Sequence, residues 1–311
     1  LEMMRNKVLA KQNRRLSTID VHDVICKIGE VVVVGGVRRT ALISLSDLND
    51  EELRHAKDGA FYIKEPQRAM ANNSAVYLEK PSAVEFMEEW LALARSGRGE
   101  RGIFNRGGLQ YQMPARRFAA SKKHLAMTGT NPCGEITLRS KEFCNLSEVV
   151  CRREDTEESL IRKIRLATLL GTYQCMLTDY KYIGKEWKKN CDEERLWGVS
   201  LTGQWDCPAG RSPKVLSYLR DEAIRVNEKY AKKFGISASA SITCVKPSGN
   251  VSQLVDASSG MHPRHAPHYI RRVRIGSNDS LFQMMKDAAR DWDGSLPATV
   301  IPSLSLPISV V

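Results

Sequence analysis

The stretch Asn131-Pro132-Cys133-Gly134-Glu135-Ile136-Thr137-Leu138, followed after a short polar gap by Phe143-Cys144-Asn145-Leu146, decides how this chain is read. Pro132 removes a backbone donor and turns Asn131 away from helical angles, while Gly134 opens backbone angles closed to larger residues. The segment is therefore expected to be a sharp loop with Cys133 at its tip. A thiol, a carboxylate two residues on and a carboxamide two residues back form a compact set: a redox-active atom, a base, and a group that orients a hydroxyl. A buried structural cysteine in a turn fits the same spacing, since free cysteine is among the most buried residue types.

Three further stretches accompany it: Val34-Gly35-Gly36-Val37-Arg38-Arg39-Thr40-Ala41 upstream, and Gly198-Val199-Ser200-Leu201-Thr202-Gly203 downstream. The third is Thr243-Cys244-Val245-Lys246-Pro247-Ser248-Gly249-Asn250-Val251-Ser252-Gln253-Leu254, running on into Ser259-Gly260-Met261-His262-Pro263-Arg264. With the central stretch, and in this order, they resemble the motifs of ribonucleotide reductases. Taken together with residues 262–274, they are most similar to the adenosylcobalamin-dependent class, phage-borne members included, and the resemblance runs from about residue 15 to about residue 275.

That resemblance implies an α/β protein with the ten-stranded α/β barrel of the superfamily, two parallel five-stranded halves packed antiparallel around a central finger loop. One catalytic barrel domain is expected over 1–311, incomplete at its N-terminal side, with a specificity loop over 34–41, the finger loop over 129–146 and a substrate-phosphate turn over 246–254. The implied activity is reduction of ribonucleotides to 2′-deoxyribonucleotides for DNA synthesis, initiated by adenosylcobalamin through a thiyl radical at Cys133 that takes the ribose 3′-hydrogen. Glu135 takes the 3′-hydroxyl proton, Asn131 hydrogen-bonds the ribose hydroxyls, and Cys144 is one of two thiols that reduce the sugar and end as a disulfide. Ser248, Gly249, Asn250 and Val251 hold the substrate phosphates, with Asn250 standing where the family usually has Thr or Ser. Gly35, Gly36, Val37, Arg38 and Arg39 form the loop that carries the effector message, with Arg38 at the substrate base.

The implied partners are a ribonucleoside tri- or diphosphate, a deoxynucleotide effector, and thioredoxin or a similar dithiol. The family's second reducing cysteine lies far upstream of the specificity loop, and Cys26 does not match it, so a missing N-terminal segment or a companion subunit is expected to supply it. Two alternatives keep parts of the pattern: a large subunit whose radical comes from a metal subunit, and a non-catalytic reductase-like regulator that needs only the phosphate turn.

Composition sets the remaining bounds. The chain is 42% hydrophobic and 27% charged, ordinary for a soluble globular protein, and holds no apolar run long enough for a membrane span. Without a secretory leader at its start, the cytoplasm is the expected compartment. The net charge of +11 invites a nucleic-acid reading, but basic residues alternate with acids and no RNP-type aromatic motif accompanies them, so a basic surface attracting polyphosphates is expected instead. The cysteines form no C-x-x-C pair, and Pro263 and Pro267 keep His262, His265 and His268 from aligning on a regular helix, so no metal site is expected.

Local signals place the scaffold. Val21, Val24, Ile25, Ile28, Val31 and Val32 recur at helical spacing over 20–34, Gly35-Gly36 breaks the pattern, and 41–45 reads as a buried strand. Ser82 and Glu85 form a capping box for a helix that stops at Gly97. A helix over 155–179 is expected to turn Leu160, Ile164, Ala167 and Leu170 to one face. Another begins with Ser212 as cap and Pro213 in its first turn, buries Leu216, Leu219, Ala223, Val226 and Tyr230, and stops at Gly235. The polar, basic residues 108–128 read as a loop. Residues 241–254 read as strand, turn and helix start, an arrangement that suits an anion at backbone N–H groups and equally suits an ordinary β–α turn.

Overall fold

The computed structural model describes residues 1–266 apart from 35, 36, 39 and 247, together with 280, 283, 284 and 287. The expected His268 and the chain end over 296–311 lie outside the described residues. Two compact units emerge, one built on Leu1–Phe104 and the other on Asn105–Arg264, and both mix helices with strands, as an α/β protein does.

The first unit contains helices α1 (Glu2–Ala10) and α2 (Thr18–Val31), strands β1 (Val33–Val34), β2 (Val37–Arg38) and β3 (Leu42–Ser46), and short helices α3 (Glu51–Arg54) and α4 (Phe61–Lys64). Strand β4 (Ala71–Tyr77), helix α5 (Ala83–Ser96) and strand β5 (Gly102–Asn105) complete it. Strand β3 runs parallel to β4, from Leu42 opposite Ala71 to Ser46 opposite Ala75, and β5 lies on the other side of β4. β1 and β2 pair antiparallel, Val33 opposite Arg38 and Val34 opposite Val37. The expected capping box opens α5, with Glu85 N–H donating to Ser82 Oγ, and Gly97 closes it at φ 62°.

Helix α2 forms where its periodicity predicts, but with the opposite face inward. Val21, Ile25 and Ile28 of the expected apolar stripe are exposed, whereas Asp20, His22, Asp23 and Cys26 are buried. The reason is pairing: Asp23 accepts two hydrogen bonds from Arg68, at 2.7 and 2.9 Å, and lies 2.9 Å from Lys7 Nζ. His22 Nε2 stands 3.2 Å from Asn73 Oδ1. Burial opposes a charge on His22, but hydrogen bonding to Asp23, Cys26 and Asn73 outweighs it and raises the imidazole from 6.5 to about 9. A folded value above the unfolded one means that this stabilisation is fully present below 6.5 and is lost as pH rises through about 9. Thermal midpoints of the wild type are therefore expected to fall more steeply than those of His22→Gln over that interval, and parallel curves would remove His22 from the account.

The second unit begins with α6 (Leu109–Gln112) and α7 (Ala115–Ser121), so the expected loop over 108–128 is largely helical. Its basic character misled because Arg117 is buried, 3.0 Å from Glu194, a partner remote in sequence. Then come β6 (Gly129–Thr130), β7 (Thr137–Leu138), β8 (Asn145–Val150), α8 (Glu157–Gln174), α9 (Lys185–Glu194), β9 (Trp197–Thr202), α10 (Pro213–Phe234) and α11 (Asn250–Leu254). β8 and β9 are parallel, in register from Asn145 opposite Trp197 to Val150 opposite Thr202. The strand expected over 241–245 reduces to Thr243, bridged in parallel to Val199.

Helices α8 and α10 cover this sheet. Val149, Leu160, Ile164, Trp197, Val199, Leu219 and Ala223 form the core between them. Ser212 caps α10 and Gly235 ends it at φ 68°, as the sequence predicts. On α8, Leu160, Ile164 and Ala167 are buried, but Leu170 is 67% exposed, and the inward face continues through Thr168, Gly171 and Thr172. The Trp197 ring explains the shift, because a Cβ on Gly171 would stand 2.1 Å from its Cε3. Gly171→Ala gains up to about 1 kcal/mol of helix propensity, yet it overpacks a ring that is 1% exposed. Overpacking of this kind costs about 1–3 kcal/mol. A net loss in denaturant midpoint is expected, and a gain would show that α8 slides freely. No helix among the described residues is long and apolar enough to cross a membrane.

Candidate functional site

Strands β6 and β7 make a two-residue antiparallel ladder, Gly129 opposite Leu138 and Thr130 opposite Thr137, and the finger sequence is the loop between them. The loop closes on itself. Asn131 N–H donates to the Ile136 carbonyl at 3.1 Å, Ile136 N–H donates to Asn131 Oδ1 at 2.9 Å, and Gly134 N–H donates to the Asn131 carbonyl at 2.9 Å. Gly134 takes φ 83°, a left-handed angle that favours glycine, and the turn leaves Cys133 exposed. The carboxamide of Asn131 thus has a structural task as well, with its oxygen engaged in the loop and Nδ2 as its donor end.

Glu135 points the other way. Its side chain is 2% exposed, Oε1 lies 2.7 Å from Lys246 Nζ, and Oε2 is buried without a hydrogen-bond partner. Neither oxygen accepts a well-directed hydrogen bond, so charge and proximity hold the pair. Burial opposes the Lys246 charge, but the close approach and charge of Glu135, with a contribution from Cys133, prevail and raise the ammonium above its ordinary value. One lysine therefore responds to both chemistry-bearing residues of the loop.

Two more thiols feel the charge of this carboxylate. Cys144 immediately precedes β8, and burial, with the charges of Glu135 and Glu142, pushes it up to about 11. Cys244 follows the bridged Thr243 and donates its N–H to the Val199 carbonyl, and burial with the charge of Glu135 pushes it up to about 12. Gly198 makes room for it, since a Cβ there would lie 2.6 Å from Cys244 Sγ and 3.3 Å from Ile136 Cδ1. Beneath the loop, Arg117 donates to the Thr137 carbonyl at 2.8 Å and Arg139 donates to Glu142 at 3.1 Å. Burial and the charge of Glu194 push Glu142 up to about 7, against the pull of Arg139 and Arg117. This network pins β7 and the segment leading to Cys144 to one base.

The structure thus gathers Asn131, Cys133, Glu135 and Cys144 into one locality and adds Lys246, which the sequence placed only at the start of the phosphate turn over 246–254, and Cys244, to which it gave no role. Lys246 sits in a quoted motif, but nothing in the sequence names its partner, 111 positions away. Past it, Ser248 is buried, and its hydroxyl accepts the Ser252 N–H at 3.2 Å. The Ser252 and Ser259 hydroxyls both donate to the Ser248 carbonyl. Gly249 precedes α11, Asn250 opens it with a side chain outside the description, and Val251 is 46% exposed. Of the specificity loop, Gly35, Gly36 and Arg39 lie outside the described residues, and Val37 and Arg38 are described as strand β2 without their side chains.

No family model matches the chain. It is 26% identical to the adenosylcobalamin-dependent ribonucleoside-triphosphate reductase of Lactobacillus leichmannii, across 98% of this chain and 44% of that protein. It is 28% identical to the reductase of the same name from Lacticaseibacillus paracasei, across 90% of this chain and 41% of that protein. The chain therefore spans less than half the length of the curated relatives it matches. Its fold matches a crystal structure of a B-12 dependent (class II) ribonucleotide reductase with a TM-score of 0.63 and 24% identity, over 88% of this chain and 41% of that one. It also matches the Actinobacillus ureae class Id ribonucleotide reductase alpha subunit, with a TM-score of 0.58 and 16% identity, over 89% of this chain and 58% of that one. Along nearly its whole length this chain is similar in sequence to the adenosylcobalamin-dependent ribonucleoside-triphosphate reductases, and it shares the fold of a class II ribonucleotide reductase.

Proposed function

We propose that this chain carries the substrate-reducing centre of an adenosylcobalamin-dependent ribonucleotide reductase, within the ten-stranded barrel of that superfamily, and makes 2′-deoxyribonucleotides for DNA synthesis. The observation that supports this best is the finger hairpin, with Cys133 exposed at its tip, a buried Glu135 oxygen left unpaired behind it, and the Cys144 thiol under the charge of the same carboxylate. Adenosylcobalamin, when bound, supplies the homolytic chemistry that draws the hydrogen atom from a thiol. Such chemistry needs a sulfur at a surface, and Cys133 fits it.

The chain's own residues account for the rest. The Cys133 sulfur takes the ribose 3′-hydrogen and later returns it. Glu135 Oε2 accepts the 3′-hydroxyl proton, a buried base acting on a group brought to it. The Asn131 Nδ2 donates to a ribose hydroxyl while its oxygen keeps the loop closed. Cys144 stays an S–H at neutral pH, because burial and neighbouring carboxylates hold it up near 11, and so it has a hydrogen to deliver to the sugar. Residues 248–251 take the phosphates of a ribonucleoside di- or triphosphate, and 35–39, with Arg38 foremost, convey the state of a deoxynucleotide effector. Thioredoxin or a similar dithiol restores the thiols.

Turnover of ribonucleotides by the protein with a dithiol reductant is expected to depend strictly on added adenosylcobalamin. Undiminished reduction without it, supported by a metal-containing subunit, would move the protein to that other branch. Nucleotide binding without reduction under any initiator would make it a regulator.

A further inference from the structure

We propose that Lys246 is a positioning residue for the finger loop, holding Glu135 as a carboxylate through Oε1 and leaving Oε2 available for the substrate's proton. The reduction step rests on the reductase reading above, whereas the pairing itself does not.

A carboxylate whose side chain is 2% exposed keeps its charge only beside a counter-charge, since an isolated buried ion neutralises instead. Among the described residues, the charge of Glu135 acts on the thiols of Cys144 and Cys244 and on the Lys246 ammonium, which stands 2.7 Å from Oε1. Both thiols are pushed well above neutrality and carry no charge at pH 7, so Lys246 is the cation among them. A point charge at 2.7 Å from one oxygen compensates the carboxylate without covering the other. An arginine fork, by contrast, engages both oxygens side by side.

The lysine is itself held in place. Two residues earlier, Cys244 N–H is bonded to the Val199 carbonyl of β9. At Lys246, the backbone carbonyl is approached by Gly260, where a Cβ would lie 2.8 Å from it and where φ is +56°. Cys133, at the tip of the loop, also acts on this ammonium.

The test is infrared difference spectroscopy of the full chain at pH 7, with Glu135→Gln identifying the Glu135 bands. Lys246→Met is expected to convert the Glu135 carboxylate band to a protonated carboxyl band that Glu135→Gln/Lys246→Met lacks, and Lys246→Arg is expected to keep the carboxylate. Reduction by Lys246→Met at pH 7 is expected to fall by about 10²–10⁴-fold, the range lost with a misprotonated general base. An unchanged carboxylate band in Lys246→Met overturns the inference. If Lys246→Met folds poorly, the double variant is expected to recover the wild-type thermal midpoint because no buried charge is left unpaired. A double variant as unstable as the single one also overturns the inference. Failure of the wild type to reduce any ribonucleotide would sink the reductase reading and leave the infrared result standing.

Discussion

Cys133→Ser is expected to stop ribonucleotide reduction, by a factor on the order of 10⁴ or more, the scale seen when an indispensable reacting atom is removed. Nucleotide affinity is expected to stay close to that of the wild type. The two halves of this expectation have separate causes. A hydroxyl hydrogen is bound too strongly to be withdrawn on the route open to a thiol, so the chemical step is lost outright. The loop does not depend on the sulfur for its shape, because Asn131, Gly134 and Ile136 close it through backbone and carboxamide hydrogen bonds. Cys133 is exposed, so serine leaves no buried cavity. Steady-state turnover with adenosylcobalamin and a dithiol, beside equilibrium dialysis of a ribonucleotide, measures both halves. Residual turnover near wild type would remove Cys133 from the reaction, and lost binding would mean that the loop had collapsed.

Cys144→Ser is expected to fail at a different step. Sustained turnover with thioredoxin or dithiothreitol should disappear, yet tritium should still leave a 3′-tritiated ribonucleotide, because Cys133 and Glu135 remain in place. Serine cannot give up the electron that a thiol contributes when the sugar is reduced and a disulfide forms, so the reaction starts and cannot finish. The surroundings of Cys144 suit that role, since burial and the charges of Glu135 and Glu142 keep it protonated until it is used. Release of tritium by Cys144→Ser but not by Cys133→Ser would separate the two thiols cleanly. Multiple turnovers in Cys144→Ser would instead pass its role to another sulfur, with Cys244 the first to test because it feels the charge of the same carboxylate.

Local chemistry was legible from the sequence. The Ser82–Glu85 capping box, the Ser212 cap with Pro213, and the glycines at 97, 134 and 235 act within a few residues of themselves, and each stands where the sequence predicts it. The ordered motifs pointed to the same relatives that sequence and fold comparison identify. Periodicity gave the helices but misjudged which faces turn inward. On α2, Val21, Ile25 and Ile28 are exposed while Asp20 and Asp23 are buried, because Asp23 finds Arg68 45 positions away. On α8 the Trp197 ring demands Gly171 and leaves Leu170 outside.

The site divides in the same way. By itself, the sequence determined that a thiol, a carboxylate and a carboxamide share one tight loop, because Pro132 restricts the backbone there and Gly134 opens the left-handed angle that the turn takes. Only the tertiary structure decided that the loop stands over Arg117 and Arg139, that Cys244 fits into the space Gly198 leaves, and that Lys246 supplies the charge opposite Glu135. A buried ion needs a counter-ion within a few ångströms. Which residue fills that place is set by how distant segments pack, and that is not written in the spacing of either segment.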